Sequence, residues 1–583
     1  MARLLALALL LAAPLLGAAS KSSELVAKLS DQYWQQMLKE PLLRWREGLP
    51  VDTLPDVSYQ KAASQAEEAQ KMLARLRGVN ASEISHDEQI TVDLLKWQLD
   101  GTVANAKYFW LRPVVTPYTS LTPHVNRIFT TWKFKTEADA GHYRELLAKY
   151  PTFIRALRGI LATQLSKGIV LPKAEIAIVD PFLSSYIQAP ERSLFYVASD
   201  RLADLSSASA KRFQSELIAA IETSVNPALE DLVKLLRDEY SAKAPEAVGE
   251  SQYPGGGEYY RYLVRWYTTQ DVTPEQVHQI GLDEVKRLND RMADIRKALG
   301  FQGAKSEFHD VLKKDPRFYA KTPEEVEARL MAFVHMMEPK IDENFRIKPK
   351  APYGVRRLDP SLEGSQTFGY YELPNSTDPK GYYNFNGSDL DHRSWSNAEG
   401  LIFHELIPGH HFQLCLQKEN ENLPRFRREA YYPASGEGWG EYSSAFGEEL
   451  GLYKDPYDLY GRLAMEMFLA VRLIVDTGMN YFGWSRDRAI QLMHDNVLES
   501  DTQIATETLR YSVDMPGQAL AYKMGALKIR ALREKARAEL KERFDIRDFH
   551  DWFLASGSMP MAVLEKHVDY EVKQVLTRQG KSE

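Results

Sequence analysis

Amphipathic helical periodicity is the feature that most restricts the fold of this chain. Apolar residues recur every three or four positions, with charged residues between them, over much of the 583-residue sequence. This spacing puts the apolar side chains on one helix face, which must be buried against other helices. The pattern predicts a mainly α fold. The clearest examples are residues 22–39, 61–78, 87–110, 209–242 and 273–300.

Composition supports a large packed core and excludes some partners. Hydrophobic residues make up 44% of the chain and charged residues 26%, as in ordinary globular proteins. The net charge is −7 without a long basic block, so nucleic acid is not an expected partner. Residues 20–583 are expected to form one helical domain. Three glycines at 255–257 suggest halves of 20–250 and 251–583, although a plain surface loop is equally compatible with them.

The N-terminus resembles an export signal. One Arg, an apolar run and small residues within positions 1–19 are typical of a cleaved signal peptide, with a buried N-terminal helix as the alternative. No Cys lies near the cleavage point, so we expect a periplasmic or secreted protein without lipid attachment. Cys415 is the only Cys, which excludes an intramolecular disulfide. No later segment is apolar enough for an integral membrane span.

Strand-forming sequence is concentrated in residues 366–386. Two aromatic runs flank the segment PNSTDPKG, which is rich in turn residues. This arrangement predicts a β-hairpin just ahead of the segment considered next.

The segment FHELIPGHHFQ, residues 403–413, resembles a zinc-binding helix with a displaced second histidine. His404 and Glu405 begin the motif, but Pro408 occupies the position four residues after His404, where the second ligand normally stands. Ser396 and Glu399 fit an S-x-x-E capping box that would start this helix. Because the surrounding residues are apolar, the His-Glu pair is expected to be buried and to need a partner.

Two adjacent histidines could supply the second ligand. In a regular helix His411 would lie too far along the axis and His410 would point away. Pro408 and Gly409 could distort the helix locally and bring His410 to the required place. We therefore expect His410 as the ligand. His411 is the alternative ligand, or else an outer contact of the site. A third interpretation is a decoy, in which Pro408 ends the helix and the histidines only cap it.

A second helix offers carboxylates. Glu437 and Glu441 lie one helical turn apart in SGEGWGEY, interleaved with glycines that would allow close helix approach. Glu437 is the expected third ligand of one Zn²⁺ ion, and Glu441 is expected to accept the free ring N–H of a ligating His. Glu405 would then act as general base toward a water molecule.

The segment 509–525 supplies further polar groups around a Pro-Gly turn. Tyr511 and Tyr522 are candidate phenol donors to a developing oxyanion. Arg510, Gln518 and Lys523 are candidate contacts to the substrate, the two cations to its carboxylate. Each of these residues taken alone could equally be structural.

The blocks HELIPGHHFQ, EGWGEY, RLIVDTGMNYFGWSRDRAIQLM and PGQALAYKMG resemble those of the bacterial proteins grouped as domain of unknown function 885. The resemblance runs from about residue 250 to 575. It implies a helical zinc metallopeptidase-like body with a central cleft, distantly related in fold to thimet-oligopeptidase-like and angiotensin-converting-enzyme-like enzymes. It also implies His404, His410 and Glu437 as ligands, Glu405 as base, and an edge strand that pairs with the substrate. That strand would comprise Tyr382, Tyr383, Asn384 and the two following residues. Gly440-Glu441 departs from the expected block, so the role of Glu441 is our inference alone.

The sequence thus predicts an exported zinc metallopeptidase that hydrolyses small peptides. The alternatives are a zinc amidase acting on cell-wall peptides or other amides, and a non-catalytic periplasmic binding protein. Oligomeric state, side-chain preference and endo- or exo-cleavage do not follow from these patterns.

Overall fold

The computed structural model describes residues 20–363, 369–375 and 378–579. The predicted mainly α fold is confirmed, because long helices fill most of this part of the chain and strands form only one small sheet. The predicted signal peptide, residues 1–19, lies outside the described residues. No described helix has the length and apolar character needed to cross a membrane.

The elements follow one another in a simple order. The helices before the sheet are α1 (Lys21–Met37), α2 (Pro41–Arg46), α3 (Tyr59–Leu76), α4 (His86–Lys107), α5 (Thr122–Thr130), α6 (Glu137–Leu147), α7 (Tyr150–Ser166), α8 (Lys173–Ser184), α9 (Ser207–Ala220), α10 (Asn226–Leu235), α11 (Gly256–Thr268), α12 (Pro274–Ala298), α13 (Lys305–Lys314) and α14 (Pro323–Asn344). The remaining elements are β1 (Tyr353–Arg357), α15 (Pro360–Glu363), β2 (Tyr370–Glu372), β3 (Gly381–Phe385), α16 (Ala398–Glu405), α17 (His410–Glu419), α18 (Arg425–Glu429), α19 (Pro433–Glu449), α20 (Pro456–Asn480), α21 (Arg486–Asn496), α22 (Asp501–Leu509), α23 (Leu520–Leu540), α24 (Ile546–Ala555) and α25 (Met561–Gln579).

The apolar faces pack into extended cores. Buried side chains of α1, α3 and α4 join those of α16, α19 and α23–α25 in one core. Residues of α5–α10 form another, to which Leu509 and Val513 contribute. Helices near the start of the described residues therefore pack against helices near their end. The division into halves at residue 250 stays a prediction.

The sheet has the order β1-β3-β2. β2 and β3 are antiparallel, with Tyr371 opposite Tyr383, so the predicted hairpin is confirmed. β1 pairs with β3 in parallel and was not expected from the sequence. β3 is therefore the central strand, and the prediction that it is the edge strand was wrong. β2, on the free side of the hairpin, is an edge.

Helix α20 runs through the interior. It packs mainly against α12 and also contacts α16 and α23. Charged residues on it are buried, among them Arg462, Glu466, Arg472 and Asp476, each at most 5% exposed. Buried charges require partners, and these residues organise the polar interior beside the candidate site.

Candidate metal site

The histidine motif lies across a break between two helices. α16 ends at Glu405 and α17 begins at His410, so residues 406–409 form a turn where a bulged helix was expected. A side-chain Cβ at Gly409 would lie 1.8 Å from the carbonyl oxygen of His404, so only glycine fits. Trp439 on α19 donates from Nε1 to the carbonyl oxygen of Pro408 at 2.8 Å. The break is therefore required by the close contact at Gly409 and is held in place by the hydrogen bond from Trp439 on the neighbouring helix α19.

The predicted capping box does not form. The residue before α16 is Asn397, and no side chain caps this helix end. Glu399 is 2% exposed, and its Oε1 has no hydrogen-bond partner within the described ranges. Burial raises its pKa to about 8. Glu399 packs into the interior near Asp458 and Arg329, which removes its carboxyl group from the helix terminus.

Three predicted ligands come together around this break. One donor atom each from His404, His410 and Glu437 lies within 4.8 Å of the others. Nε2 of His404 and Nε2 of His410 are 3.5 and 3.4 Å from Oε2 of Glu437. The two imidazole rings are nearly perpendicular, at 86°. The three side chains are only 4%, 11% and 15% exposed, in the same order.

The donor set suits a zinc ion. Two imidazole nitrogens and one carboxylate are typical zinc ligands in hydrolases. Burial disfavours the Glu437 anion, but hydrogen bonds from His404 and His410 hold its pKa well below the usual range. Nδ1 of each of these histidines is buried without a protein partner among the described residues. A Cβ at Gly440 would lie 2.7 Å from His404 ring atoms, so this glycine allows α19 to approach the ring.

Glu405 borders the cluster on the side of the sheet. Burial raises its pKa, against the opposing charges of His410 and His404. The backbone N–H of Tyr371 on β2 is directed toward its carboxylate. A carboxylate with a raised pKa beside a metal site has the properties of a general base.

His411 faces away from the cluster. Its Nε2 lies 3.0 Å from the carbonyl oxygen of Ala351 and its Nδ1 lies 2.8 Å from the hydroxyl of Tyr371. Burial lowers its pKa to about 4. His411 thus links α17 to the segment before β1 and to β2, and it is placed neither as a ligand nor as an outer contact of the cluster.

Glu441 has a different partner from the one predicted. Its Oε1 accepts a hydrogen bond from Nη2 of Arg462 at 3.0 Å. No hydrogen bond to a ligand histidine forms among the described residues, and Oε2 is buried without a partner. The reason is that Arg462 on α20 is itself buried and needs a carboxylate.

The two candidate phenol donors, Tyr511 and Tyr522, lie in different surroundings. Tyr511 is fully buried, and its hydroxyl accepts from Nε of Arg472 at 2.5 Å. It is therefore unavailable to a substrate, which corrects its predicted catalytic role. Tyr522 lies beside the cluster, with its ring 6.4 Å from that of His404. The Gln518 amide is within hydrogen-bonding reach of the Tyr522 hydroxyl.

The two candidate cations, Arg510 and Lys523, also lie in different surroundings. Arg510 donates to Oε1 of Gln518 at 2.6 Å and lies on the same side as Tyr522. Lys523 is 1% exposed in an ion cluster, 2.5 Å from Oε1 of Glu466 and 2.7 Å from Oε2 of Glu284. The predicted contact of Lys523 with substrate is corrected by this burial.

The predicted substrate strand contributes mainly to the sheet. Asn384 is 3% exposed and accepts from Nε of Arg356 at 2.7 Å, while the Tyr382 ring lies 4.1 Å from the same guanidinium. Tyr383 is buried near Glu405, and burial raises its pKa above the ordinary range. Tyr382 and Asn384 both contact Arg356 on β1, and neither forms a hydrogen bond with a cluster residue in the described part of the chain.

Two residues near the cluster were missed. Tyr431 donates its hydroxyl to Oε1 of Glu437 at 2.8 Å, and the residue as a whole is 43% exposed. Tyr371 supplies the backbone N–H toward Glu405. No sequence pattern marked Tyr431, which lies two residues before Pro433, the first residue of α19.

The fold occurs in solved bacterial proteins. A "putative lipoprotein" from Colwellia psychrerythraea superimposes with a TM-score of 0.87 and 27% identity, covering 95% of this chain and 100% of that one. A "putative lipoprotein of unknown function" from Shewanella oneidensis has a TM-score of 0.75 and 18% identity, covering 94% and 99%. A "putative oligoendopeptidase F" from Bacillus anthracis reaches a TM-score of only 0.29, at 14% identity over 90% of this chain and 96% of that one, too low to indicate a common fold.

These relatives overturn one expectation and the family model confirms another. The first two structures carry the description "putative lipoprotein", so the expected periplasmic or secreted protein without lipid attachment was wrong. No curated protein matches the chain. The family model covers residues 41–568, and the chain therefore belongs to the family described as Bacterial protein of unknown function (DUF885).

Proposed function

We propose that this protein is a zinc-dependent metallopeptidase that hydrolyses small peptides. The observation that carries the proposal is the convergence of His404, His410 and Glu437 within 4.8 Å, with Glu405 beside them. A pure binding protein has no need for a carboxylate with a raised pKa at this place.

His404, His410 and Glu437 would hold one Zn²⁺ ion. When bound, such an ion supplies Lewis acidity and lowers the pKa of a water molecule. Tyr431 keeps Oε1 of Glu437 occupied through its hydroxyl, which fixes the carboxylate with its other oxygen toward the histidines. Gly440 keeps α19 close enough for Glu437 to reach them.

Glu405 and Tyr522 would handle the proton and the developing charge. The Glu405 carboxylate accepts a proton from the attacking water and delivers it to the leaving amine. The Tyr371 N–H, directed toward this carboxylate, would help to orient it. Tyr522, half-buried near His404 and Glu437, is the best-placed phenol to donate to the oxygen of the cleaved carbonyl.

Metal content and hydrolysis test the proposal together. Purified protein is expected to contain about one zinc per chain and to cleave members of an unmodified peptide library. Glu405→Gln should retain zinc while losing turnover by at least about 100-fold. Glu421→Gln, at an exposed position beyond α17, is the matched control and should keep full activity.

The outcomes separate the alternatives. Cleavage of cell-wall peptides or non-peptide amides without cleavage of ordinary peptides would replace the peptidase with an amidase. Tight zinc binding without turnover of any substrate would replace it with a binding protein. Full activity of Glu405→Gln would refute the assigned base.

A further inference from the structure

Two buried guanidinium groups share one carboxylate near the candidate metal site. Nη2 of Arg472 is 3.1 Å from Oε2 of Glu507, and Nη1 of Arg510 is 3.2 Å from Oε1 of the same residue. Within the described ranges, neither guanidinium has another carboxylate at ion-pair distance. The direct contacts therefore leave one positive charge without a partner.

More distant acids compensate this charge only in part. Burial raises the pKa of Asp476 and Glu499 to about 7 and that of Asp514 to about 6. Asp476 is instead occupied by the Tyr260 hydroxyl and the backbone N–H of Gly517. Asp476 and Glu499 are therefore only partly ionised near neutral pH. Asp514 is mostly ionised there, but among the described residues it forms no direct ion pair with either guanidinium.

The two guanidiniums retain unused donors. Arg472 donates from Nε to Tyr511 and from Nη2 to Glu507, but its Nη1 makes no hydrogen bond to any residue in the described part of the chain. Nε of Arg510 is buried and also lacks a partner there. Because a buried charged donor without an acceptor is costly, this geometry is suited to receiving an anionic group.

The pair is connected to the candidate metal site through Tyr522. The Arg472 guanidinium lies 5.1 Å from the Tyr522 ring, which is 6.4 Å from the His404 ring. Gln518 lies on the same side as Tyr522 and accepts a hydrogen bond from Arg510. An extended peptide advances about 3.5 Å per residue, so no more than about three residues fit between the metal ligands and the pair.

Solvent reaches Arg510 beside Tyr118. The Arg510 guanidinium lies 5.6 Å from the Tyr118 ring, and Tyr118 is 49% exposed. Arg510 itself retains 15% side-chain exposure. Arg510 is therefore the more accessible member of the pair, and Arg472, with a side chain only 6% exposed, lies deeper.

We propose that Arg472 and Arg510 bind the C-terminal carboxylate of a short peptide. The inference rests on the proposed peptidase function and deepens it: cleavage would release one to three residues from a free C-terminus. Glu507 holds the two guanidiniums at a fixed separation, and Lys523, paired inside the protein, has no part in the binding.

Three peptides of one sequence test this subsite. The first has a free C-terminal carboxylate, the second a C-terminal amide, and the third an amide together with Glu as the last residue. We expect kcat/KM for the free acid to exceed that for the plain amide by about 10- to 100-fold, the range for charge-assisted hydrogen bonds. Equal cleavage of these two would overturn the proposal. A preference for the third peptide over the first would assign the pair to acidic side chains and likewise overturn it.

Variants test whether the preference for a free C-terminal carboxylate arises from Arg472 and Arg510. Arg510→Met should reduce the acid-to-amide ratio to near one, and Arg472→Lys, which keeps the charge but loses the forked donors, should reduce it less. Arg237→Met, at an exposed position paired with Asp180, is the control and should keep the wild-type ratio. An unchanged ratio in a folded Arg510→Met protein would refute the assignment. The wild-type comparison remains decisive if the variants fail to fold.

Binding separates this inference from the proposed function. Calorimetry with Glu405→Gln and the same peptides measures carboxylate recognition without turnover. If no peptide is hydrolysed by the wild type but the free acid binds more tightly than the amide, the subsite stands and the peptidase proposal fails. If peptides are hydrolysed and both forms bind equally, the subsite fails and the peptidase proposal stands.

Discussion

At the helix break, side chains from three helices meet at one point, whereas five polar side chains within residues 510–523 point to three different places. His404, His410 and Glu437 are separated in sequence but lie within 4.8 Å. Tyr522 and Lys523 are neighbours in sequence, yet one faces His404 and the other a buried ion cluster. Successive helix residues differ by about 100° in direction. A cluster of polar residues in the sequence is therefore a poor guide to which side chains meet in space. Glycines that allow two helices to approach closely are a better guide.

Replacing each of the adjacent histidines gives the sharpest test of this contrast. His410→Asn should lose tight zinc binding and hydrolysis, because it removes one of three ligands. His411→Asn should keep its zinc and instead lose about 1–3 kcal/mol of unfolding free energy, since its contacts with Ala351 and Tyr371 are buried. Metal analysis and urea unfolding measure both effects. The reverse pattern would make His411 the ligand.

Lys523 should matter for stability alone. Lys523→Met leaves the carboxylates of Glu466 and Glu284 short of one cation, and we expect a loss of about 3–5 kcal/mol. Zinc content should not change. Lys528→Met, which removes a partly exposed ion pair with Glu565, should cost less than about 1 kcal/mol. A stable Lys523→Met protein with altered peptide recognition would contradict the burial argument.

Gly440 tests whether close helix approach creates the site. A Cβ there would displace the His404 ring, and we expect Gly440→Ala to weaken zinc affinity by about 10- to 100-fold, the range for disturbed ligand support. Competition with a chelator measures this affinity. Gly159→Ala, on α7 with open space around the added Cβ, serves as control and should leave zinc binding unchanged. Unchanged zinc affinity in Gly440→Ala would show that α19 can shift to make room for the added methyl group.

Replacing Tyr511 should mainly lower stability, whereas replacing Tyr522 should mainly lower the rate of hydrolysis. Tyr511→Phe deletes the hydroxyl bonded to Arg472 and should cost about 1–2 kcal/mol of stability. Tyr522→Phe should cost less than about 1 kcal/mol while reducing kcat about 100-fold, as for loss of an oxyanion donor. Thermal unfolding and steady-state kinetics distinguish them. Normal turnover in Tyr522→Phe would transfer the donor role to another phenol.

Much of the helical body could be predicted from sequence because its signal is local. The stretches 273–300 and 87–110 become α12 and α4 with little change of boundary, since amphipathic spacing and end signals lie within each segment. The hairpin was predicted for the same reason. β1 was not, because its parallel pairing with β3 joins residues about thirty positions apart.

Candidate site residues that the structure brings together were predicted where residue type alone restricts the chemistry. A buried His-Glu pair and a carboxylate between glycines have few other uses, so His404, Glu405 and Glu437 followed from the sequence. Glu441, Tyr511 and Lys523 have many uses, and buried partners on α20 and α12 engage them. Tyr431 escaped notice because an exposed tyrosine before a proline carries no distinctive pattern.

The sequence by itself determined the mainly α class, the hairpin, the family and the residue types that could bind a metal. Only the tertiary structure decided which histidine turns toward Glu437, which strand is the edge, and which charged groups face one another across the interior. The physical reason is range: helix periodicity and turn propensity act over a few residues, whereas the partner of a buried charge is set by packing between segments distant in sequence.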